Sequence, residues 1–225
     1  MPVNQDLAHV FDEIPTGHGA IGLLSSDEFL PAASAFDRAL LAATGPRVAL
    51  LLCADPRAAP HSAALAIPYY RELGADPLVV EVLHRDQATA QALPDYDVLF
   101  IGGGSPATLL PCLKGTTLWD EALRRWRSGA AIAGSSAGAM ALCRRCLVPR
   151  PGDRVPTVWS EGLGPLERVA LAVHASSRPP EWLRAVARDA PAHLLALDDA
   201  TGVVLQAGRP PRVAGPGDVR ICTAD

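Results

Sequence analysis

The chain lacks any apolar run approaching the about 20 residues that span a bilayer, so no membrane partner is expected. It also lacks a strong charge of either sign. The formal net charge is −4 and the isoelectric point is near 5.8, which gives no electrostatic reason to expect nucleic acid or an anionic membrane. Cysteine is scarce: five residues stand at 53, 112, 143, 146 and 222, an odd number with no framework of paired spacings. That usage suits a reducing compartment, and a cytoplasmic location is expected. Residues 1–18 mix Asp, Glu, His and Pro without the basic start and apolar middle of a secretory signal. Cys143-x-x-Cys146 lacks the two further ligands a zinc site needs, and reads as helix packing. Neither a G-x-G-x-x-G fingerprint nor a P-loop Lys-Ser/Thr is present. Neither metal nor cofactor is therefore expected. The expected partner is a small peptide or another small molecule, and a homodimer is one assembly compatible with the reading.

What is present is globular. Of 225 residues, 49% are hydrophobic and 20% charged, enough for one sizeable core. No internal repeat or interdomain linker is visible, so residues 1–18 read as an N-terminal tail and 19–225 as a single α/β domain. Short apolar runs at Ala20–Leu24, Val48–Cys53, Leu78–Leu83, Val98–Ile101, Ala130–Ala133, Val169–Val173 and Leu194–Leu197 read as strands. Helix-like segments lie between them: Pro31–Ala43, Ser62–Leu73, Trp119–Trp126 and Glu181–Arg188. Such alternation needs crossover connections, hence a mostly parallel sheet with helices on both faces. After Asp199 short runs broken by Gly and Pro (Val203–Gln206, Arg212–Ala214, Val219–Cys222) predict a terminal antiparallel meander. The Pro-rich stretch Val148–Pro156 reads as a surface loop over one sheet end.

Residues 130–140 read Ala-Ala-Ile-Ala-Gly-Ser-Ser-Ala-Gly-Ala-Met. An apolar run stops at Gly134, Ser136 and Gly138, the pattern of a strand turning sharply into a helix with one hydroxyl at the apex. Glycines two before and two after are needed because side chains there would collide with strand and helix. Ser136 would then stand beside a helix N-terminus, with the Ala137 N–H aimed at whatever it attacks. Taken alone, G-x-S-x-G fits a capped strand–helix turn as well as a nucleophile, so its surroundings decide.

A serine needs a base within hydrogen-bond reach, and in open α/β sheets sites gather at the carboxyl ends of strands. His174 directly follows the run Val169–Val173 and shares that edge with Ser136. His193 precedes Leu194–Leu197 and lies at the opposite edge. By the same rule Asp198 and Asp199, after Leu194–Leu197, are candidates for the orienting acid. Adjacent strand residues face opposite ways. Asp199 is preferred, with Asp198, Glu161 and Asp153 as rivals. The run Val98–Ile101 ends in Gly102-Gly103-Gly104-Ser105-Pro106, where Gly103 or Gly104 could supply a second oxyanion amide. Ser105 would face the substrate from the same loop. Arg178 could bind a substrate carboxylate, whereas Arg144, Arg145 and Arg150 fit solvated surface positions.

Together these stretches resemble the cyanophycinase/dipeptidase E family of serine peptidases, which has a class I glutamine amidotransferase-like fold. The likeness rests on Gly102–Pro106 with Leu109-Leu110, the turn from Gly134 to Ala139, Gly162-Leu163-Gly164, and Ala196 to Thr201. It runs in order over residues 19 to 222. The resemblance implies hydrolysis of a peptide or β-linked aspartyl bond through an acyl-enzyme. Ser136 would be nucleophile, His174 base, Asp199 the acid, and Gly103 with Ala137 the oxyanion hole. The chain departs from the family pattern at Ser105, where Asn or Asp is usual. It departs again at Ala172-Val173-His174-Ala175, where cyanophycinases read Asp-x-His-Phe, which counts against cyanophycin as substrate. A non-catalytic member binding a small ligand or partner protein is the alternative. A glutamine amidotransferase would carry cysteine at the turn, and a lipase-like hydrolase would place its histidine last.

Overall fold

The computed structural model describes Leu7, residues 14–190 and residues 193–222. Five parallel strands form its centre: β1 (Ile21–Leu24), β2 (Arg47–Leu51), β3 (Asp76–Val80), β4 (Val98–Ile101) and β5 (Ala131–Ser135). β1, β4 and β5 are buried throughout, which is why they read as unbroken apolar runs.

Alternate strand residues feed two cores. Leu24, Val48, Leu50, Phe100 and Ala133 pack against α1 (Ser34–Thr44) and α2 (Ala59–Glu72). Leu23, Ala49, Leu51, Leu99 and Ile132 pack with α3 (Pro106–Leu113), α4 (Thr117–Arg127) and α5 (Ala137–Ala141). Helices thus cover both faces, as the alternation of runs implies. Of the segment read as a tail, Leu7 and Ile14 are buried in the second of these cores; residues 1–6 and 8–13 lie outside the described residues.

Three features differ from the sequence reading. The later strands β8 (Val169–Ala172) and β9 (His193–Leu197) do not extend the main sheet. They pair in parallel with each other, and β12 (Val219–Cys222) adds antiparallel to β9, making a separate three-stranded sheet. The reason is that β10 (Gly202–Leu205) takes the free side of β1 antiparallel, with β11 (Arg212–Ala214) outside it. The C-terminal antiparallel strands are therefore shared between two sheets. Secondly, the Pro-rich stretch belongs to a hairpin of β6 (Arg145–Pro149) and β7 (Pro156–Glu161). Cys143 follows the short α5 and Cys146 sits in β6, so no single helix carries both. Both are buried, and burial pushes the Cys146 thiol up to about 12, leaving it inert.

Candidate active site

Three strand ends converge. Ser136 follows β5, His174 follows β8 two residues on, and Asp199 follows β9. The Ser136 hydroxyl lies 3.1 Å from His174 Nε2, and His174 Nδ1 lies 2.9 Å from Asp199 Oδ1. With Nδ1 protonated and donating to Asp199, Nε2 is left as an acceptor for the hydroxyl. Ser136 has φ 49° and ψ −110°, a strained conformation at the start of α5. A side chain at Gly134 would strike the Gly138 and Ala139 backbone, and one at Gly138 would strike the Ile101 carbonyl. The glycine spacing is thus explained by close approach.

Left-handed backbone gathers in this region. Among the described residues the non-glycine positions with left-handed φ are Asp27, Phe29, Ser136, His174 and Ala200. The last three are members or neighbours of the constellation, and the first two lie just after β1. Clustering of this kind marks positions that the surrounding fold over-determines.

Asp199 is tightly held. Ser176 and Ser177 donate hydroxyls to its Oδ2, and its own N–H is accepted by Ser176 Oγ at 2.9 Å. Ser26 Oγ lies 3.0 Å from Oδ1. Partial burial works to raise the Asp199 pKa, but the hydrogen bonds from Ser177, Ser176, His174 and Ser26 outweigh it. They hold the carboxyl well below the usual carboxylate range. Two of the three rival acids are paired with cations. Asp198 pairs with Arg220 at 2.7 and 2.9 Å, Glu161 pairs with Lys114 at 2.7 Å, and Asp153 sits on the hairpin loop at the cleft's rim. His193, at the start of β9, lies at the far edge.

The glycine loop divides its amides. Gly102 N–H goes to Leu51 O, Ser105 N–H to Ala54 O, and Gly103 N–H to Glu28 Oε1 at 2.9 Å. Gly103, paired with Ala137 as an oxyanion donor by the resemblance, is therefore already engaged. Gly104, with φ 140°, lines the cleft, and its amide has no such partner in the loop. The Ala137 amide occupies the first helical position, where a helix supplies no internal acceptor.

Above Ser136 lies a cleft of about 530 Å³, lined by Ser105, Met140, Asp153, Arg154, Arg178 and Trp182 among others. Trp182, on α6 (Pro180–Arg188), donates its indole N–H to Pro156 O and so fastens the hairpin to the helix. The Arg178 guanidinium stands 5.6 Å from the Trp182 ring centroid, and its buried Nε has no hydrogen-bond partner. Arg144 instead faces Glu167 at 3.6 Å, and Arg145 reaches only toward Trp159 O. No group of His, Cys, Asp and Glu able to hold a metal occurs among the described residues.

The profile of peptidase family S51 matches residues 24–209, which contain the whole constellation. The chain belongs to peptidase family S51. Among solved structures it is similar to a peptidase from an acI-B1 Actinobacterium, at 26% identity over 92% of this chain and 91% of that one, with TM-score 0.77. It also resembles a putative peptidase E protein from Listeria monocytogenes EGD-e at 17% identity, covering 89% and 100% of the two chains with TM-score 0.66, a likeness of fold. No curated protein matches. The chain is a serine hydrolase of the peptidase class.

Sequence reasoning missed the S51 peptidase's own β1 end. Ser25 Oγ accepts the His174 N–H at 2.7 Å and donates to Leu197 O at 3.0 Å. Ser26 touches Asp199, and Glu28 touches both Gly103 and Ser135. The strand-end rule that singled out His174 applies equally to Ser25–Glu28 after Ala20–Leu24, and was the available signal.

Proposed function

We propose that this S51 peptidase cleaves a peptide or aspartyl (iso)peptide bond through an acyl-enzyme, with Ser136 as nucleophile at a nucleophile elbow. His174 Nε2 takes the hydroxyl proton as Oγ bonds to the carbonyl carbon, and Asp199 stabilises the imidazolium through Nδ1. The tetrahedral oxyanion is received by the amides of Ala137 and Gly104. Collapse breaks the C–N bond, and the proton on Nε2 passes to the leaving amine. Water, deprotonated by His174, then attacks the acyl ester, the C–Oγ bond breaks, and His174 returns the proton to Ser136 Oγ as the acid product leaves.

The observation that carries this reading is the continuous chain from the Ser136 hydroxyl through the His174 ring to Asp199, at 3.1 and 2.9 Å. The Arg178 guanidinium, stacked on Trp182 with an unpaired Nε beside the cleft, supports a substrate carboxylate as the specificity handle. Ser105 at the head of α3 is the other polar group offered to the substrate from the glycine loop.

The test is a fluorophosphonate reagent against wild type, Ser136→Ala and His174→Ala, followed by Asp-X, β-Asp-Arg and ester substrates. Labelling of wild type alone is expected, with Arg178→Ala raising KM for acidic substrates about tenfold to a hundredfold. A wild-type protein that neither labels nor turns over any substrate beyond the Ser136→Ala background would favour a ligand-binding role for the cleft.

A further inference from the structure

Glu28 lies in the loop after β1 and is neither nucleophile, base nor triad acid, yet its carboxylate joins two parts of the site. Oε1 accepts the Gly103 N–H at 2.9 Å and Oε2 accepts the Ser135 hydroxyl at 2.7 Å. Ser135 is fully buried and immediately precedes the nucleophile. Gly103 immediately precedes the cleft-lining amide of Gly104. We propose that Glu28 is a positioning residue that locks the glycine loop against the Ser136 turn and so fixes the oxyanion hole; this rests on the function proposed above.

Three observations support it. Gly102-Gly103-Gly104 is a stretch with little intrinsic conformational preference, and such a loop needs an external tie to present one amide in one direction. A side chain at Gly103 would run into Glu28 Oε1, so the glycine is what lets the carboxylate close on the backbone. Glu28 is itself held by an over-determined segment. Asp27 and Phe29 on either side take φ 60° and 66°, and the Phe29 ring is buried against Tyr70 and Phe100 with centroids 6.0 and 5.6 Å away. A carboxylate accepting from a peptide N–H and a hydroxyl is a strong pair of charge-assisted bonds. By engaging the Gly103 amide, Glu28 leaves the neighbouring Gly104 amide as the loop's donor to the cleft.

The chemistry separates positioning from charge. Glutamine can keep both contacts, because its carbonyl accepts from Gly103 and its amide donates to Ser135 Oγ, which can turn from donor to acceptor. Alanine keeps neither.

The experiment measures kinact and KI for a fluorophosphonate on wild type, Glu28→Gln, Glu28→Ala and Ser135→Ala, alongside amide hydrogen exchange over residues 102–105 and thermal midpoints. Glu28→Ala is expected to lower kinact about tenfold to a hundredfold with KI nearly unchanged, a fraction of what outright loss of an oxyanion donor costs. Exchange at residues 102–105 should quicken. Glu28→Gln should recover most of kinact and of the exchange protection. Glu28→Ala labelling at the wild-type rate with unchanged exchange overturns the proposal and leaves the proposed function standing. Glu28→Gln as slow as Glu28→Ala overturns it in favour of a charge effect. Should wild type fail to label, the proposed function fails separately. Exchange at residues 102–105 then still decides whether Glu28 holds the loop.

Discussion

Replacing Asp199 by asparagine separates orientation from charge in the triad. The usual consequence of such a change is a flipped tautomer: the new amide donates to Nδ1, the ring proton moves to Nε2, and the base is lost, at about 10⁴ in rate. Here the surroundings resist that outcome. Oδ2 faces the hydroxyls of Ser176 and Ser177, which can rotate to accept, so the new NH2 has a natural place away from His174. Oδ1 then still receives the Nδ1 proton at the position now 2.9 Å away. What remains is the lost attraction between carboxylate and imidazolium. With charge centres about 4 Å apart and an effective dielectric near 20, it is about 4 kcal/mol, or about 10³ in rate. Both side chains are roughly 30% exposed (31% and 28%), so screening trims this toward about 10². The assay is the fluorophosphonate labelling rate near neutral pH for Asp199→Asn, with and without Ser176→Ala and Ser177→Ala. The single variant should lose about 10²–10³, and the triple variant, freed to flip, should fall to about 10⁴ below wild type. Labelling of Asp199→Asn within about threefold of wild type, against the Coulomb figure above, would refute Asp199 as the working partner of His174.

Two carboxylates should give opposite pH slopes in stability. Asp37, buried with both Tyr69 and Tyr70 hydroxyls donating to it, is pushed up to about 6 by burial. The native state therefore binds more protons than the unfolded chain, and its stability should fall by about 3 kcal/mol as pH rises from about 4 through 6. Asp37→Asn should flatten that slope in urea titrations, and an unchanged slope would count against the assignment. Asp199 is held low, so its contribution is present above about pH 4 and lost as pH falls below it; Asp199→Asn should flatten the acid limb. Gly138→Ala drives a methyl into the Ile101 carbonyl and should cost several kcal/mol, on the order of 3, read as lost soluble yield and a lowered urea midpoint. Ser25→Ala strands the His174 N–H, while the Leu197 carbonyl keeps the Ala175 N–H, at about 1–3 kcal/mol in unfolding together with slowed labelling. Wild-type stability and labelling together would show that Ser25 is not needed.

The glycines around Ser136 could be read in the sequence because steric exclusion acts at fixed spacing along one chain segment. His174 could be told from His193 because strand ends have a direction. The choice between Asp198 and Asp199 could not be made on such grounds. It turns on Arg220, which reaches Asp198 only because β12 pairs with β9 across more than twenty residues of chain. The same holds for the sheets: Val169–Val173 and Leu194–Leu197 are apolar whichever sheet they enter, and hydrogen-bonding partners leave no mark on a buried run. Nor could residue types show which of the Gly103 and Gly104 amides is engaged, since backbone amides have no sequence signature and the Gly103 bond depends on Glu28.

Ser136, the proposed nucleophile, and the amides beside it belong to the main sheet, while His174 and Asp199, the proposed base and acid, hang from the second. The 3.1 Å between Ser136 and His174 is therefore a docking distance between two sheets rather than a property of either. What sets it is the chain leaving β1. Ser25 gives its N–H to Thr201 O and its hydroxyl to Leu197 O while accepting the His174 N–H, and Ser26 Oγ accepts the Ala200 N–H. His174 and Ala200, both left-handed, are thus each tied through the backbone N–H to a serine hydroxyl just past β1, the strand that also flanks β5 and Ser136. Left-handed residues of this kind cost of order 1–3 kcal/mol each and would relax if only local contacts held them. Their persistence at the seam follows from anchoring on both sides, with β1, β5, β8 and β9 all buried along their catalytic ends. The hydrogen-bonded alignment of Ser136, His174 and Asp199 is accordingly set by the fold itself.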